Sequence, residues 1–589
     1  MRRPERRIQD HLALLYGGET AARLWSRLRP RLRPRLRPRL RQADLDAPAS
    51  LERFSERDVV LITYGDQIGK PGQAPLQSLA EFLEARVRGV INSLHILPFF
   101  PYSSDDGFSV LDYKTVDPQL GTWDDVARLG RSFRLMFDLV INHISAQSRW
   151  FQAFLAGDPH YADYFITVPP DTDLSMVVRP RARPLLTPVE TAQGKKWVWT
   201  TFSPDQIDLN FANPQVLLDI IDVLLFYVRQ GAEIIRLDAI AYLWKETGTA
   251  SIHLEQTHRV VQLLRAVLDW VAPHVSLITE TNVPHAENVS YFGDGQNEAQ
   301  MVYQFSLAPL ILNAFHTADA GHLSRWAAQL SPPSQATTFF NFTASHDGVG
   351  VRPAEGILDK AAFQQLVERA LAHGGFVSFK TNPDGSKSPY ELNISYFDAL
   401  SDPAAVEREG IAVQVDRFLA SQAIMLSLAG VPGIYVHSLL GSRSYHAGVT
   451  QTGRYRSINR EKFERAVLEA ALDDPASLRH QVFERYLHLL RVRTAQRAFH
   501  PNGAQQALTG HRALFALLRT APDGTQRVLC LHNVSDQSQS FQVDLARIEA
   551  AHTGGAAAQD LLTGMRYPVD EAGLLVVDVA PYQVLWLQL

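Results

Sequence analysis

The sequence predicts an α/β protein, a (β/α)8 TIM barrel with two inserted subdomains and a C-terminal antiparallel β domain. Three observations predict this fold class. From residue 58 onward, short and continuously apolar runs alternate with longer amphipathic runs, which is typical of a parallel sheet covered by helices on both faces. Two connections between these runs are far too long to be simple loops. Beyond residue 495 the pattern changes to short alternating runs separated by turn residues, which indicates antiparallel strands.

Eight apolar runs are the predicted barrel strands. In chain order they are DVVLITY, GVINSLHILPF, RLMFDLVIN, AEIIRLDA, VSLITE, MVYQFSL, TTFFNFTAS and VPGIYVH. Stretches of helical period lie between them, such as APLQSLAEFLEARV, PQVLLDIIDVLLFYVRQG and THRVVQLLRAVLDWV. Eight such units within residues 58–495 favour a closed barrel over an open doubly wound sheet.

The two long connections are predicted to be insertions in the barrel. One spans residues 145–205 after the third strand, and the other spans residues 348–412 after the seventh strand. Insertions at the carboxyl ends of barrel strands commonly build subdomains that cover the substrate. Residues 496–589 are predicted to form the C-terminal β domain, with strands in runs such as RALFALLRT and YQVLWLQL.

Residues 1–57 are predicted to be an N-terminal extension that carries an Arg-Leu-Arg-Pro repeat over residues 27–41. Proline at every fourth residue removes a donor from each helical turn, so we expect this repeat to be extended and exposed. A basic arm that binds RNA or anionic lipid is one interpretation. Because no aromatic residues alternate with the arginines, an expanded repeat on the surface is the favoured one.

The composition is that of an ordinary globular protein. Of 589 residues, 46% are hydrophobic and 20% are charged, and the formal net charge of −5 carries no global basicity that would attract nucleic acid. The single cysteine, Cys530, excludes an intrachain disulfide and a cysteine-based zinc site. We find neither a secretory segment nor a membrane-spanning run, and we therefore expect a cytoplasmic protein without a membrane partner.

Carboxylates stand where three different predicted strands end. Asp238 ends the fourth strand, Glu280 ends the fifth, and Asp347 follows the seventh. A single carboxylate at a strand end is readily explained as a cap or an ion-pair partner. Three of them at three strand ends are difficult to explain in that way, because barrel active sites are assembled from strand ends.

The residues around two of these carboxylates suggest different charge states. Arg236 lies two residues before Asp238, on the same face of the strand, and should keep that carboxylate ionised, as a nucleophile requires. Glu280 lies in the mostly apolar SLITETN, where desolvation should raise its pKa, as a general acid requires. Two carboxylates tuned in opposite directions are suited to glycoside chemistry, and a separation of roughly 5 Å between them would make the reaction retaining.

Five segments resemble, in chain order, the signature segments of the α-amylase superfamily, and specifically of its sucrose phosphorylase subfamily. They are DGFSVLDY, DLVINHIS, IIRLDAIAY, ITETNVPH and ASHDGVG. Further segments, including KETGTASIHL, RPRARPLLTP and NPDGSKSPYELN, are most similar to the glucosylglycerate phosphorylase branch. The resemblance covers nearly the whole span from LITYGDQ to the C-terminus.

This resemblance implies a role for each matching residue. It implies Asp238 as the nucleophile, Glu280 as the acid/base and Asp347 as the third carboxylate, which steadies the distorted sugar. The residues that it implies for the donor glucose subsite are Asp105, Phe108, His143, Arg236, His346 and Arg456, with Phe108 as an apolar platform.

The resemblance also implies phosphorolysis, with inorganic phosphate as co-substrate, no other cofactor and no metal. Phosphate or a carboxylated acceptor needs cationic groups, and arginine forms bidentate contacts with both. The candidates on the two insertions are Arg179, Arg181, Arg183 and Lys380; a solvated charged loop is the alternative interpretation.

We therefore expect a retaining glucoside phosphorylase that converts 2-O-α-glucosylglycerate and phosphate into α-glucose 1-phosphate and glycerate. Within the same chemistry, sucrose, sucrose 6'-phosphate and glucosylglycerol are alternative donors. A hydrolase or transglucosidase is a further alternative. We expect the partners of this protein to be a small α-glucoside and phosphate. We also expect the protein to be a monomer or a homodimer.

Overall fold

Eight parallel strands form a closed barrel in the computed structural model, which describes residues 3–32, 52–180, 184–382, 386–548 and 557–589. The strands are β1 Val60–Thr63, β2 Ser93–Ile96, β3 Arg134–Leu139, β4 Ala232–Leu237, β5 Ser276–Thr279, β6 Met301–Tyr303, β7 Thr338–Asn341 and β8 Val431–Tyr435. Each strand pairs with the next in the chain, and β8 closes the barrel onto β1. Every predicted barrel strand is thereby confirmed.

The strands are nearly continuously buried, which explains their unbroken apolar runs. One position shows how closely their side chains pack inside the barrel. A Cβ atom at Gly433 of β8 would lie 2.3 Å from the ring of Phe340 on β7, so only glycine fits there.

Helices cover the barrel on the outside, and they include the three that the sequence predicts. They are Pro75–Arg86, Trp123–Ser132, Pro214–Arg229, Glu255–Val271, His285–Val289, Leu307–Thr317, Gly321–Ala327, Ile411–Ser427 and Leu478–Thr494. Capping residues and prolines in the sequence determine where some of these helices begin. Pro214–Arg229 begins with a proline after Asn213, whose side chain accepts from the backbone N–H of Gln215. No helix in the described part of the chain is long and apolar enough to cross a membrane.

The connection after β3 contains its own secondary structure. A short strand, His143–Ser145, pairs antiparallel with Gln206–Asp208, and together they join the two ends of this connection beside the barrel. Between them lie the helix Arg149–Leu155 and a hairpin of Leu186–Thr191 with Gly194–Trp199.

The connection after β7 is built around a small antiparallel sheet. The strands Phe376–Thr381 and Lys387–Asn393 form a hairpin, and Val349–Gly350 pairs with the second of them. The helices Lys360–Ala372, Tyr396–Leu400 and Val406–Glu409 complete the connection, and the barrel helix Ile411–Ser427 follows it.

The C-terminal domain consists of antiparallel sheets, as the sequence predicts. The larger sheet has six strands: Ala504–Leu508, Leu514–Thr520, Arg527–Asn533, Val584–Gln588, Ala557–Asp560 and Arg566–Pro568. A second sheet pairs Gln539–Asp544 with Leu574–Val579. Cys530 is buried in the larger sheet opposite Trp586, and burial raises the pKa of its thiol far above the usual range.

The prediction of an extended N-terminal repeat is wrong for residues 27–32. The chain forms the helices Pro4–Tyr16 and Gly18–Leu28, and a 3-10 turn continues over Arg29–Leu32. Leu28 and Leu32 are fully buried, and their burial stabilises the helical turn. Pro30 stands in the first turn of the 3-10 segment, where its missing N–H costs little. The remainder of the repeat, residues 33–41, lies outside the described residues.

These N-terminal helices pack on the barrel surface. The helix Pro4–Tyr16 lies against the barrel helix Glu255–Val271, and Arg7 forms an ion pair of 2.6 Å with Asp269. Trp25 packs edge to face on Trp270, with ring centroids 5.9 Å apart. This part of the predicted extension therefore adds to the core of the barrel domain.

Replacing Leu12 by alanine should show that contribution. Leu12 is fully buried between the N-terminal helices and the barrel, so we expect the variant to lose about 2–5 kcal/mol of unfolding free energy. Leu14→Ala is the matched control, because Leu14 is 62% exposed on the same helix and should change the free energy by less than about 0.5 kcal/mol. Equal destabilisation of the two variants in denaturant titrations would contradict this packing.

Candidate active site

One cavity opens at the carboxyl ends of the barrel strands, and most of the predicted site residues line it. The space inside it, including its solvent-open mouth, is about 560 Å³. The predicted residues in its wall are Asp105, Phe108, His143, Asp238, Glu280, His346, Asp347 and Arg456. Arg236 lies in the wall of a smaller adjoining cavity that Glu280 and Asp347 also line.

Asp238 follows the last residue of β4 and is held by Arg236. The Nη1 atom of Arg236 donates to Asp238 Oδ1 at 2.6 Å and also to Asp138 Oδ1 at 2.5 Å. Asp138 is at the end of β3, directly across from Arg236 in the strand register, and its other oxygen lies 2.6 Å from Nε2 of the buried His95. A chain of hydrogen bonds through the barrel interior therefore orients Asp238.

The pKa of Asp238 is shifted in the direction opposite to the one that Arg236 alone would cause. Burial raises its pKa, and the opposing effect of Arg236 does not fully cancel that shift, so the net pKa lies above 3.8. We expected Arg236 to dominate. The sequence shows the neighbouring charge but not how completely the barrel removes water from the carboxylate.

Glu280 follows the last residue of β5 and has the higher proton affinity that its apolar surroundings predict. Burial raises its pKa to about 7; Arg236 opposes this shift, while Asp238 and Asp347 add to it. Its Oε2 atom accepts the backbone N–H of Ala239 at 2.9 Å and lies 3.7 Å from Arg236 Nη2. Since Arg236 bonds directly to Asp238 but not to Glu280, a proton shared by the two carboxylates resides on Glu280.

Asp347 reaches the same cavity from the loop after β7. Its Oδ1 atom forms an ion pair of 2.6 Å with Nη1 of Arg456 and lies 3.5 Å from Nη2 of Arg460. Arg456 also makes a bidentate contact with the buried Glu391, through Nε at 3.1 Å and through Nη2. Burial lowers the pKa of Arg456, but these two carboxylates raise it well above its usual value. The guanidinium group is therefore positively charged.

An aromatic stack forms another part of the wall. The ring of Phe108 stacks on that of His346, with centroids 4.7 Å apart and an interplanar angle of 4°. Burial lowers the pKa of His346 to about 3, so this imidazole is neutral at physiological pH. The stack therefore presents an uncharged flat surface beside the carboxylates.

The turn that carries Phe108 has unusual backbone geometry. Asp105 and Asp106 both adopt the left-handed conformation, with φ of 56° and 48°, which is strained for residues other than glycine. Gly107 follows with φ of 105°, and a Cβ atom there would lie 2.6 Å from the carbonyl oxygen of Pro98. Arg460 forms an ion pair with Asp106 and stabilises the turn. Asp105 and Phe108 reach the cavity because of this turn.

Of the candidate phosphate-binding residues, Arg179 and Lys380 are described, and neither lines the cavity. Arg179 is half-buried in the first insertion, and Lys380 lies on the hairpin of the second, where its Nζ atom is 3.4 Å from Glu355. Arg181 and Arg183 lie outside the described residues. The proposed role of these cations stays a prediction.

Several wall residues were missed by the sequence analysis. They are Phe202, Gln206, Asn282, Phe305, Tyr390 and Glu391. Glu391 could have been found from the sequence, because it is a carboxylate within PYELN. This segment is part of a strand in which the residues next to Glu391 are buried. Phe202 and Gln206 could not have been found in this way. They stand at the end of a long insertion, and no local sequence pattern shows how that insertion returns to the barrel. Among the described residues, no group of three or more histidine, cysteine, aspartate or glutamate side chains is arranged to hold a metal ion.

Known proteins resemble this chain at the level of both sequence and fold. A family model described as the alpha-amylase catalytic domain matches residues 89–347. A glucosylglycerate phosphorylase of Allomeiothermus silvanus is 51% identical over 98% of this chain and 98% of its own length. A sucrose phosphorylase of Agrobacterium vitis is 31% identical over 77% of this chain and 91% of its own length. The solved structure of sucrose 6F-phosphate phosphorylase from Thermoanaerobacter thermosaccharolyticum has the same fold, with a TM-score of 0.71 and 24% identity over 91% of this chain and all of that one.

Replacing Gly107 by alanine tests the strained turn. We expect lower thermal stability and a loss of activity, because the new Cβ clashes with Pro98 and displaces Phe108. Gly510→Ala is the control: Gly510 also has positive φ, 118°, but nothing lies within 4 Å of its Cβ position, so it reports the backbone cost alone, about 1–2 kcal/mol. Equal shifts in melting temperature, with activity retained in both variants, would contradict the role of this turn.

Proposed function

We infer the function of this chain from its family membership: it belongs to the α-amylase family, in the branch of the glucosylglycerate phosphorylases. It is an enzyme that transfers glucosyl groups. We propose that it is a retaining phosphorylase that converts 2-O-α-glucosylglycerate and phosphate into α-glucose 1-phosphate and glycerate. The observation that carries the proposal is the joint presence of Asp238, Glu280 and Asp347 in one cavity of a chain 51% identical to a glucosylglycerate phosphorylase.

In the first step, the ionised Asp238 attacks the anomeric carbon of the glucosyl unit. The bond to the glycerate oxygen breaks, and Glu280 donates its proton to that oxygen. The contact with Arg236 orients Asp238 for the attack. The product of this step is a covalent glucosyl-enzyme and free glycerate.

In the second step, Glu280 is a carboxylate and acts as the base. Phosphate enters the position that glycerate has left, transfers a proton to Glu280, and its oxygen attacks the anomeric carbon on the face opposite Asp238. The bond to Asp238 breaks, which releases α-glucose 1-phosphate with the original configuration. Glu280 is then protonated again for the next cycle.

Asp347 and the aromatic stack serve the sugar itself. We propose that Asp347, held by Arg456, accepts hydrogen bonds from glucose hydroxyl groups in the distorted transition state. The stacked rings of Phe108 and His346 would lie against an apolar face of the sugar. Asp105 and His143 complete the proposed glucose subsite, and Arg179, Arg181, Arg183 and Lys380 remain our candidates for phosphate or glycerate.

Sucrose phosphorolysis is the second candidate function, since a sucrose phosphorylase is 31% identical to this chain. The higher identity to a glucosylglycerate phosphorylase, 51%, favours glycerate as the leaving group. We retain the sequence prediction of a cytoplasmic enzyme, monomeric or homodimeric, that acts on small molecules.

A donor panel tests the proposed reaction. The enzyme is incubated with glucosylglycerate, sucrose, sucrose 6'-phosphate or glucosylglycerol, each with and without phosphate, and glucose 1-phosphate and free glucose are measured. We expect glucose 1-phosphate chiefly from glucosylglycerate and only with phosphate. Asp238→Asn is the control and should yield no product. Free glucose at a rate independent of phosphate would instead indicate a hydrolase or transglucosidase.

The pH dependence tests the role of Glu280. Since its pKa is about 7 and the acid must be protonated, kcat/KM for glucosylglycerate should fall as the pH rises above about 7, towards tenfold per unit. Glu280→Gln should be nearly inactive on this donor but should retain glucosylation by α-glucosyl fluoride, whose leaving group needs no proton. A profile for glucosylglycerate that stays flat to pH 9 would rule out Glu280 as the acid.

A further inference from the structure

Lys245 is a buried charged residue to which the proposed mechanism assigns no role. It lies in the loop after β4, seven residues beyond Asp238, and its side chain is 2% exposed. Its Nζ atom lies 2.6 Å from Oδ2 of the fully buried Asp208 and 2.6 Å from Oδ1 of Asn142. Burial lowers the pKa of Lys245, while Asp208 opposes that shift. A charge at this depth calls for a structural or functional reason.

The contact with Lys245 determines which way the amide of Asn142 points. An ammonium group can only donate hydrogen bonds, so the oxygen of Asn142 must face Lys245 and its NH2 group must point away. That NH2 group lies 3.2 Å from Nδ1 of His143 and 3.5 Å from Oδ2 of Asp208, and the carboxylate oxygen can only accept. The orientation of the amide thus follows from chemistry alone.

The orientation of Asn142 in turn determines the tautomer of His143. Because an NH2 group faces Nδ1, that nitrogen must be an acceptor without a proton, and the ring proton is on Nε2. Nε2 then donates to the backbone oxygen of Phe108 at 2.9 Å. Gln206 Nε2, 3.2 Å from the same ring nitrogen, donates to the Phe108 oxygen at 3.3 Å rather than to the ring.

We propose that Lys245 is a positioning residue that, through Asn142, locks His143 in its Nε2–H tautomer and thereby holds the Phe108 turn in the wall of the cavity. The assignment rests on the proposed function insofar as His143 and Phe108 belong to the glucose subsite. Lys245 itself does not line the cavity wall.

Asp208 holds Lys245 in place for this role. It also accepts from the backbone N–H of Thr201 at 3.0 Å and from the Thr201 hydroxyl at 2.5 Å. Asp208 stands opposite His143 in the antiparallel pair that joins the two ends of the first insertion. The network therefore connects the loop after β4, the first insertion and the end of β3 beneath one wall of the cavity.

The tautomer is measured directly by 15N NMR on enzyme labelled at histidine. The His143 signals are assigned by their loss in His143→Gln. We expect the Nε2–H pattern in the wild type and in Lys245→Arg, which keeps a donor-only side chain. Lys245→Met should show a mixture of tautomers, because the amide of Asn142 can then rotate. This readout needs no substrate, so it decides the tautomer even where the proposed donor is wrong.

Kinetics then test the positioning role. Lys245→Met should lower kcat/KM for glucosylglycerate about fivefold, the factor that one hydrogen bond of typical strength contributes, and Lys245→Arg should stay within about twofold of the wild type. Lys245→Met leaves the buried Asp208 without its cation and can therefore prevent folding. In that case the double variant Lys245→Met/Asp208→Asn is tested instead. Asp208→Asn alone is its control.

Three results would each overturn the proposal. The first is an Nδ1–H tautomer of His143 in the wild-type enzyme. The second is an unchanged tautomer in the folded variant that lacks the lysine. The third is a changed tautomer with unchanged kcat/KM on whichever donor the panel identifies.

Discussion

A single guanidinium group shared by two buried carboxylates organises the cavity of this protein. Arg236 Nη1 bonds to Asp138 and to Asp238 at once, and Arg236 Nη2 lies within 3.7 Å of Glu280. Without this cation, three acidic side chains would face one another in a water-poor interior, at a large cost in desolvation and repulsion. The barrel can bring strand-end carboxylates together because one strand supplies the compensating charge.

The same crowding separates the charge states of the carboxylates. Asp238 takes the direct bond from Arg236, while Glu280 has only a backbone N–H and a more distant guanidinium. The proton therefore stays on Glu280, whose pKa is about 7. These different surroundings support the roles that we propose for the two side chains, Asp238 as the nucleophile and Glu280 as the acid.

Strain and buried charge are concentrated around the cavity. Left-handed backbone at Asp105, Asp106 and Ala239 aims side chains and an N–H group at positions that an ordinary turn would not reach. The ion pair of Arg460 with Asp106 stabilises the turn at Asp105 and Asp106, and we propose that the Lys245 network holds the same turn through His143 and Phe108. Arg456 is the one lysine or arginine among the described residues of the cavity wall. It forms ion pairs with Asp347 and Glu391. We therefore propose that cations beyond this wall attract the phosphate dianion, and of the candidates Arg179 and Lys380 are described and do not line it.

Much of the fold and many residues of the cavity wall could be predicted from local sequence. Unbroken apolar runs placed all eight barrel strands, because a strand buried on both faces tolerates few polar residues. Asp238, Glu280 and Asp347 were recognisable because each follows such a run directly or within a short loop. The helical turn over residues 27–32 was not predicted, since its stability comes from burying Leu28 and Leu32 against a distant helix.

The sequence by itself determined the barrel, the strand-end carboxylates and the family to which they point. Only the tertiary structure decided that Glu391 binds Arg456, that Lys245 reaches Asn142, and that burial raises the pKa of Asp238 despite Arg236. The physical reason is that apolar periodicity and strand ends are local properties, whereas desolvation and ion pairing depend on segments that are far apart in the chain and meet only once it has folded.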